Sequence, residues 1–185
     1  MQPIGVLEEE HRLIERVVGA LERYCLAIQS QDDVDPGDLA RFVTFIDEHN
    51  DHIHHEKEED ILFETMVEHG FPRDHGTIAT VLKEHHAGRA FAQALAELAE
   101  IHRGGRSWTA QEREQISDAG RGYAGLLRPH IVKEDRILFP AAAANLSDEA
   151  MQRVASAFAD FEGARSDRKA RLRADAEDLI ARYLR

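Results

Sequence analysis

Cysteine is nearly missing from this chain: among 185 residues only Cys25 carries a thiol. A single thiol excludes an internal disulfide and a thiolate metal cage, and it makes a reducing cytoplasm the expected compartment. Long apolar runs are missing too, for none approaches the roughly 18 residues that span a bilayer. Met1-Gln2-Pro3-Ile4-Gly5 lacks the basic and apolar regions of a secretory signal. Positive charge is short, with 23 Lys and Arg against 35 Asp and Glu and a net charge of −12. Neither nucleic acid nor a membrane is therefore expected as a partner. Aromatic residues make up only 6% of the chain. What fills it instead is Ala, Leu, Glu and Arg, the strong helix formers.

Helical periodicity runs nearly end to end. Leu7, His11, Ile14, Val18, Leu21, Cys25 and Ile28 recur at steps of three and four, which predicts an amphipathic helix over about 3–29 with a histidine on its apolar face. Gln31-Asp32-Asp33-Val34 reads as a loop. Asp35-Pro36 then opens a second helix that stops at His69-Gly70-Phe71-Pro72. A third, over about 76–102, carries Ile78, Val81, Leu82, Ala92 and Leu95 on its inner stripe. Thr109-Ala110-Gln111-Glu112 is a capping box that opens a fourth, reaching about 144. Pro129 lies inside that helix and is expected to bend it. A charged fifth segment runs from Ser147 towards Arg185, with Gly163 as a candidate break. Short loops and four long helices predict an all-α, up-down-up-down four-helix bundle over residues 1–145, with an additional C-terminal helix at 146–185 packed outside it.

The histidines are unevenly spread. There are eleven, and all lie between His11 and His130. Residues 54–63 and 130–139 match at six of ten positions, sharing the pattern H-x-x-K-E-x-x-I-L-F. Residues four apart on a helix are stacked neighbours, so His54 and Glu58 share a face, as do His130 and Glu134. Ile61 and Ile137, seven after each histidine, mark that face as the buried one. Burying an imidazole and a carboxylate together is costly unless each is paired or bound to a metal. The first and third helices add His11 and His85, each preceded by a glutamate. His11 and His85 fall early in their helices, while His54 and His130 fall well before the ends of theirs. In an antiparallel bundle all four meet near one end.

The doubled motif with single Glu-His sites on helices one and three resembles the hemerythrin-like, HHE cation-binding family over roughly residues 6–140. The resemblance implies a non-haem di-iron centre with carboxylate bridges, held by His11, His54, Glu58, His85, His130 and Glu134. It implies two iron ions with a bridging oxo or hydroxo group, manganese or zinc being possible substitutes on donor type alone. The oxygen-carrying members have a fifth histidine, as His-x-x-x-His on helix three, where this chain has Arg89. That departure leaves about one open position on each metal, which suits redox reaction better than reversible carriage.

The remaining candidates are read from spacing. His86 is the alternative to His85, and Glu59 and Asp135 are the alternatives to Glu58 and Glu134. His49, His52, His55, His69, His75 and His102 are expected to be solvated, and the first three could at most form an adventitious site. Tyr123, seven before His130, faces the core as plain packing or as a hydrogen-bond partner near the metals. Arg89 is expected at a solvated helix end, with the entrance to the site as the other reading. Gly88, Gly122 and Gly125 mark close packing or space for a small ligand. The expected function is that of a di-iron protein binding or reacting with O2, peroxide or NO, an oxidoreductase if it turns over. The alternative is an oxygen-, iron- or redox-sensing or metal-storage module without turnover. The partner is then a small molecule, and the chain a monomer or homodimer.

Overall fold

In the computed structural model, residues 2–30 and 34–184 are described, so Gln31, Asp32 and Asp33 of the expected loop and the terminal Arg185 lie outside the described residues. Among those described there are six helices and no strand. They are α1 (Pro3–Ser30), α2 (37–68), α3 (Gly76–Arg103), α4 (110–145), α5 (Asp148–Gly163) and α6 (Ser166–Tyr183). The ends follow local chemistry. Thr109 Oγ1 accepts from the Glu112 N–H at 3.2 Å, and the Glu112 carboxylate accepts from the Thr109 N–H at 2.8 Å, the reciprocal cap read from sequence. Gly70, at φ 93°, closes the turn after α2, where a side chain would be strained. The Ala150 N–H bonds to Ser147 Oγ at 3.2 Å and caps α5.

α1 to α4 form the up-down-up-down bundle, with α1 against α4, α4 against α3 and α3 against α2. Two apolar clusters fill it. One is built around Ile14, Leu21, Phe42, Leu95, Ile116 and Leu127. The other gathers Leu7, Leu62, Phe63, Val81, Leu138 and Phe139. Going along each helix, the two clusters flank His11, the 54–58 stretch, His85 and the 130–134 stretch. The polar layer is thus sealed between hydrocarbon above and below, and each Leu or Phe so buried contributes about 1.5–3 kcal/mol.

Neither α2 nor α4 is a plain α-helix. Phe45–His55 and Glu58–Phe63 of α2, and Glu134–Leu138 of α4, are π-helical. The Glu56 N–H bonds to the Asp51 carbonyl and the Phe139 N–H to the Glu134 carbonyl, five residues back instead of four. Such widened turns rotate every later side chain around the helix. This corrects the expectation for the isoleucines of the repeat: Ile137 is 55% exposed and Ile61 only half-buried, while Leu62, Phe63, Leu138 and Phe139 turn inward. α4 runs unbroken through Pro129, whose side is exposed.

The C-terminal helix is broken at the expected Gly163, giving two helices separated at Ala164–Arg165. Ala150, Val154 and Phe158 of α5 join the second apolar cluster, and Ala176, Leu179 and Ile180 of α6 join the first. α6 packs along α1, and the Arg16 guanidinium meets both Glu177 oxygens at 2.9 and 2.7 Å. No helix among the described residues is long and apolar enough to cross a membrane.

Candidate metal centre

The antiparallel order of the bundle brings all six expected donors into one layer. His11, His54, Glu58, His85, His130 and Glu134 are each no more than 2% exposed. The rings form two pairs, His11 with His54 at 4.6 Å between centroids and His85 with His130 at 4.8 Å. The glutamates span the pairs. Glu58 Oε1 lies 3.4 Å from His54 Nε2, and its Oε2 lies 3.5 Å from His85 Nε2. Glu134 Oε2 lies 3.2 Å from His11 Nε2 and 3.1 Å from His130 Nε2, with Oε1 at 3.6 Å from His85 Nε2.

Every one of these rings is fixed from behind. His11 Nδ1 donates to Asp135 at 2.7 Å, His54 Nδ1 to Glu10 at 2.9 Å, His85 Nδ1 to Glu59 at 2.7 Å and His130 Nδ1 to Glu84 at 3.0 Å. A carboxylate on Nδ1–H sets the tautomer that leaves the Nε2 lone pair facing inward, and it raises the ring's basicity. Glu59 and Asp135, read from sequence as alternative inner ligands, therefore hold histidines. The glutamates of the two Glu-His pairs do the same, each for a histidine on the next helix. The lysine of the repeat now has a reason as well: Lys57 donates to Glu10 at 2.6 Å, and Lys133 pairs with Glu84.

What faces inward is left without partners. His11, His85 and His130 Nε2 and all four oxygens of Glu58 and Glu134 are buried without a hydrogen bond. An orphaned neutral group costs about 1–3 kcal/mol and a buried charge more. Burial and the neighbouring Glu134 push the Glu58 carboxyl well above its usual range. For His11 burial opposes charge, but Asp135, Glu134 and Glu58 outweigh it and raise the ring to about 10. A layer that strains towards extra positive charge, with nitrogen and oxygen lone pairs converging, fits one or two cations. Two groups of donor atoms lie close enough for this: His11, His54, Glu58 and Glu134 form one, and His55, His85 and His130 the other.

His55 is the unexpected member. Expected to be solvated, it is 5% exposed, with its ring stacked on His85 at 3.7 Å. His55 ends the π-helical stretch Phe45–His55, whose wider turns bring neighbouring residues closer in angle than the roughly 100° of an α-helix, and both His54 and His55 are buried there. His49 is likewise buried, stacked on Phe45, and belongs to neither donor group. His52, His69, His75 and the alternative ligand His86 are exposed, and His102 is half-buried. Arg89 does not end in solvent. It is half-buried, donating to both Asp51 oxygens at 2.8 and 3.0 Å and to Glu59 at 2.7 Å. Tyr123 is 2% exposed and accepts from the Asn50 amide at 2.8 Å. Both line a cavity of about 430 Å³ that reaches His55, His85 and His130.

Comparison with known proteins adds one finding. Residues 2–142 match the model of the hemerythrin HHE cation-binding domain. The chain belongs to that family. No curated protein and no solved structure matches it. The match ends before α5, so Glu162 and Lys169 lie outside the HHE region. Of the features of this HHE domain, sequence reasoning missed the inward turn of His55 and the buried Asn50. The signal available was the doublet His54-His55 itself, since neighbouring residues can both be buried on a helix, as Leu13-Ile14 and Val17-Val18 are in α1.

Proposed function

We propose that the layer holds two iron ions and serves redox chemistry on a small molecule, O2, peroxide or NO. The observation that carries this reading is the set of buried, partnerless nitrogens and oxygens spanned by two carboxylates. His11 and His54 would serve one ion, His85 and His130 the other, and Glu58 and Glu134 both. His55 would add a third imidazole to the second ion, so the two positions are unequal. With that third imidazole the number of donors would no longer be equal on the two sides. Nitrogen and carboxylate donors suit iron, manganese and zinc alike, and the absence of thiolates argues against a structural zinc.

A bound iron pair supplies open coordination positions and changes of oxidation state. The chain supplies the rest. The four Nδ1 carboxylates hold the rings in place, and the two apolar clusters keep bulk water from the layer. Tyr123 keeps its proton because burial pushes its hydroxyl far above its ordinary range. It stands as a neutral hydrogen-bonding group near the second position.

Metal analysis of protein purified from iron-supplied cells is expected to give two irons per chain, with near-ultraviolet bands of a bridged pair. Glu58→Gln is expected to lose at least tenfold in metal affinity while the metal-free protein melts no lower than the parent, because a buried carboxylate is removed. The iron-loaded parent should consume peroxide faster than Glu58→Gln. Parent protein free of metal, or a variant that loads iron equally well, would refute the proposal. A sensing module is the second reading, favoured by the contact of Lys169 in the tail with Glu10 behind His54 at 2.7 Å.

A further inference from the structure

The cavity beside His55, His85 and His130 is larger than its proposed reactants need. Its volume of about 430 Å³ compares with a share of ~30 Å³ for one water, which is the scale of a diatomic. It falls instead in the range of small-organic sites, which are mostly apolar with a few placed polar groups. Along α3, Gly88, Ala92 and Ala96 keep its wall low, and Val43, Ile46 and Leu126 close the other sides. Small residues alone would make only a trough.

The inner end is different. Asn50 is 2% exposed, yet its Oδ1 has no hydrogen-bond partner. Its amide nitrogen donates to the Tyr123 hydroxyl, whose own proton remains free, and lies 3.5 Å from His55 Nε2. Whichever way the amide is turned, the pair keeps one donor and one acceptor to offer. An orphaned amide oxygen costs about 1–3 kcal/mol, and a hydroxyl or carbonyl arriving through the cavity would satisfy it.

The rim decides the charge of the visitor. Arg89 is held by Asp51 and Glu59, and Arg103 by Glu100 at 2.5 Å. Neither guanidinium is left for an anionic head. The acids of the lining are paired as well, Asp51 with Arg89, Glu84 with Lys133 and His130, Glu48 with Arg168 and Glu100 with Arg103, and only Asp47, exposed at the mouth, has no Lys or Arg partner among the described residues.

We propose that this cavity binds a neutral, elongated, mostly aliphatic molecule that presents a single hydroxyl or carbonyl group to Asn50 and Tyr123. This names an organic ligand for the proposed di-iron site, and it rests on that reading only in placing a cation beside the ligand's head.

The probes are 1-octanol, octanoate and glycerol, titrated by calorimetry into the metal-free and the metal-loaded full chain. Octanol is expected to bind saturably at one site, with octanoate at least tenfold weaker and glycerol silent. Ala96→Leu fills the trough far from the metal donors and is expected to weaken octanol at least tenfold with melting temperature and metal content unchanged. Ala92→Leu repeats the test should Ala96→Leu fail to fold. Asn50→Ala should weaken octanol but spare an alkane of equal length. Absence of saturable octanol binding, equal binding by the leucine variants, or octanoate as tight as octanol would overturn the proposal. Because the metal-free titration needs no ion, failure there is separate from failure of iron to load.

Discussion

His49 lies 1% exposed against the Phe45 ring, and its Nδ1 has no partner. Burial pushes it down from 6.5 to about 4; Glu10 works the other way, and Lys169, Lys57 and Arg173 add to the depression. The sign follows. Between about pH 6.5 and 4 the unfolded chain takes up a proton that the folded chain refuses. Stability is therefore full above this window and falls as the pH drops through it. A shift of this size corresponds to roughly 3 kcal/mol. His49→Gln should flatten the fall in urea-unfolding free energy between pH 6.5 and 4, whatever its effect at pH 7, and parallel curves for the two proteins would count against it. His54 and His55 are depressed as well, by burial first, so the difference between the proteins is the quantity to read. The pairs His54/Glu58 and His130/Glu134 were legible because a four-residue step holds there, and His11 and His85 because they lie on their helices' apolar stripes. His49 and Asn50 share the three- and four-residue steps of Phe42, Ile46 and Ile53 and were hidden by their polarity, whereas His55 lies in a π-helical stretch that no residue in 45–55 announces.

The α1–α4 contact shows what helical spacing can and cannot say at the scale of an element. A methyl group on Gly120 would overlap Sγ of the buried Cys25, and Leu21 lies just beyond. The two helices approach here as closely as a glycine allows. Alanine is worth about 1 kcal/mol over glycine in an open helix, but overpacking a closed contact costs about 1–3 kcal/mol. The second term wins. Gly120→Ala is expected to destabilise by up to ~2 kcal/mol in denaturant melts, and Cys25→Ala added to it should recover most of the loss. A stabilising Gly120→Ala, or a double variant no better than the single, would show the contact is looser than drawn. Among the glycines singled out from sequence, Gly88 does open space and Gly122 does mark close packing, against Phe91, whereas Gly125 meets nothing. Helix ends were legible nearly to the residue, since caps are local chemistry. Which glycine sits in a contact depends on a partner helix far away in the chain.

For the whole molecule, the tail is joined to the metal layer through one carboxylate. Glu10 accepts from His54 Nδ1 and from Lys57 in α2, and also from Lys169 in α6 at 2.7 Å. Lys169 further bridges to Glu162 of α5 at 2.6 Å. Burial works against charge on Glu10, but His54, Lys57 and Lys169 outweigh it and hold the carboxyl well below its usual range. An ionised Glu10 in turn keeps His54 Nδ1 protonated and its Nε2 free for a cation. Partners of this kind are worth about 10–100-fold in metal affinity when lost. One of the two lysines would remain in Lys169→Met, so the low end, about tenfold weaker metal binding, is expected in titrations of the metal-free chain. Arg168→Ala provides the control: it cuts another tie of α6, to Glu48 at 2.8 Å, that touches no histidine of the layer. Its affinity should match the parent. Linkage is reciprocal, so metal loading should also raise hydrogen-exchange protection across 166–183 in the parent and do so less in Lys169→Met. Equal affinity for Lys169→Met and parent, or an equal loss for Arg168→Ala, would mean that α5 and α6 only cover the bundle.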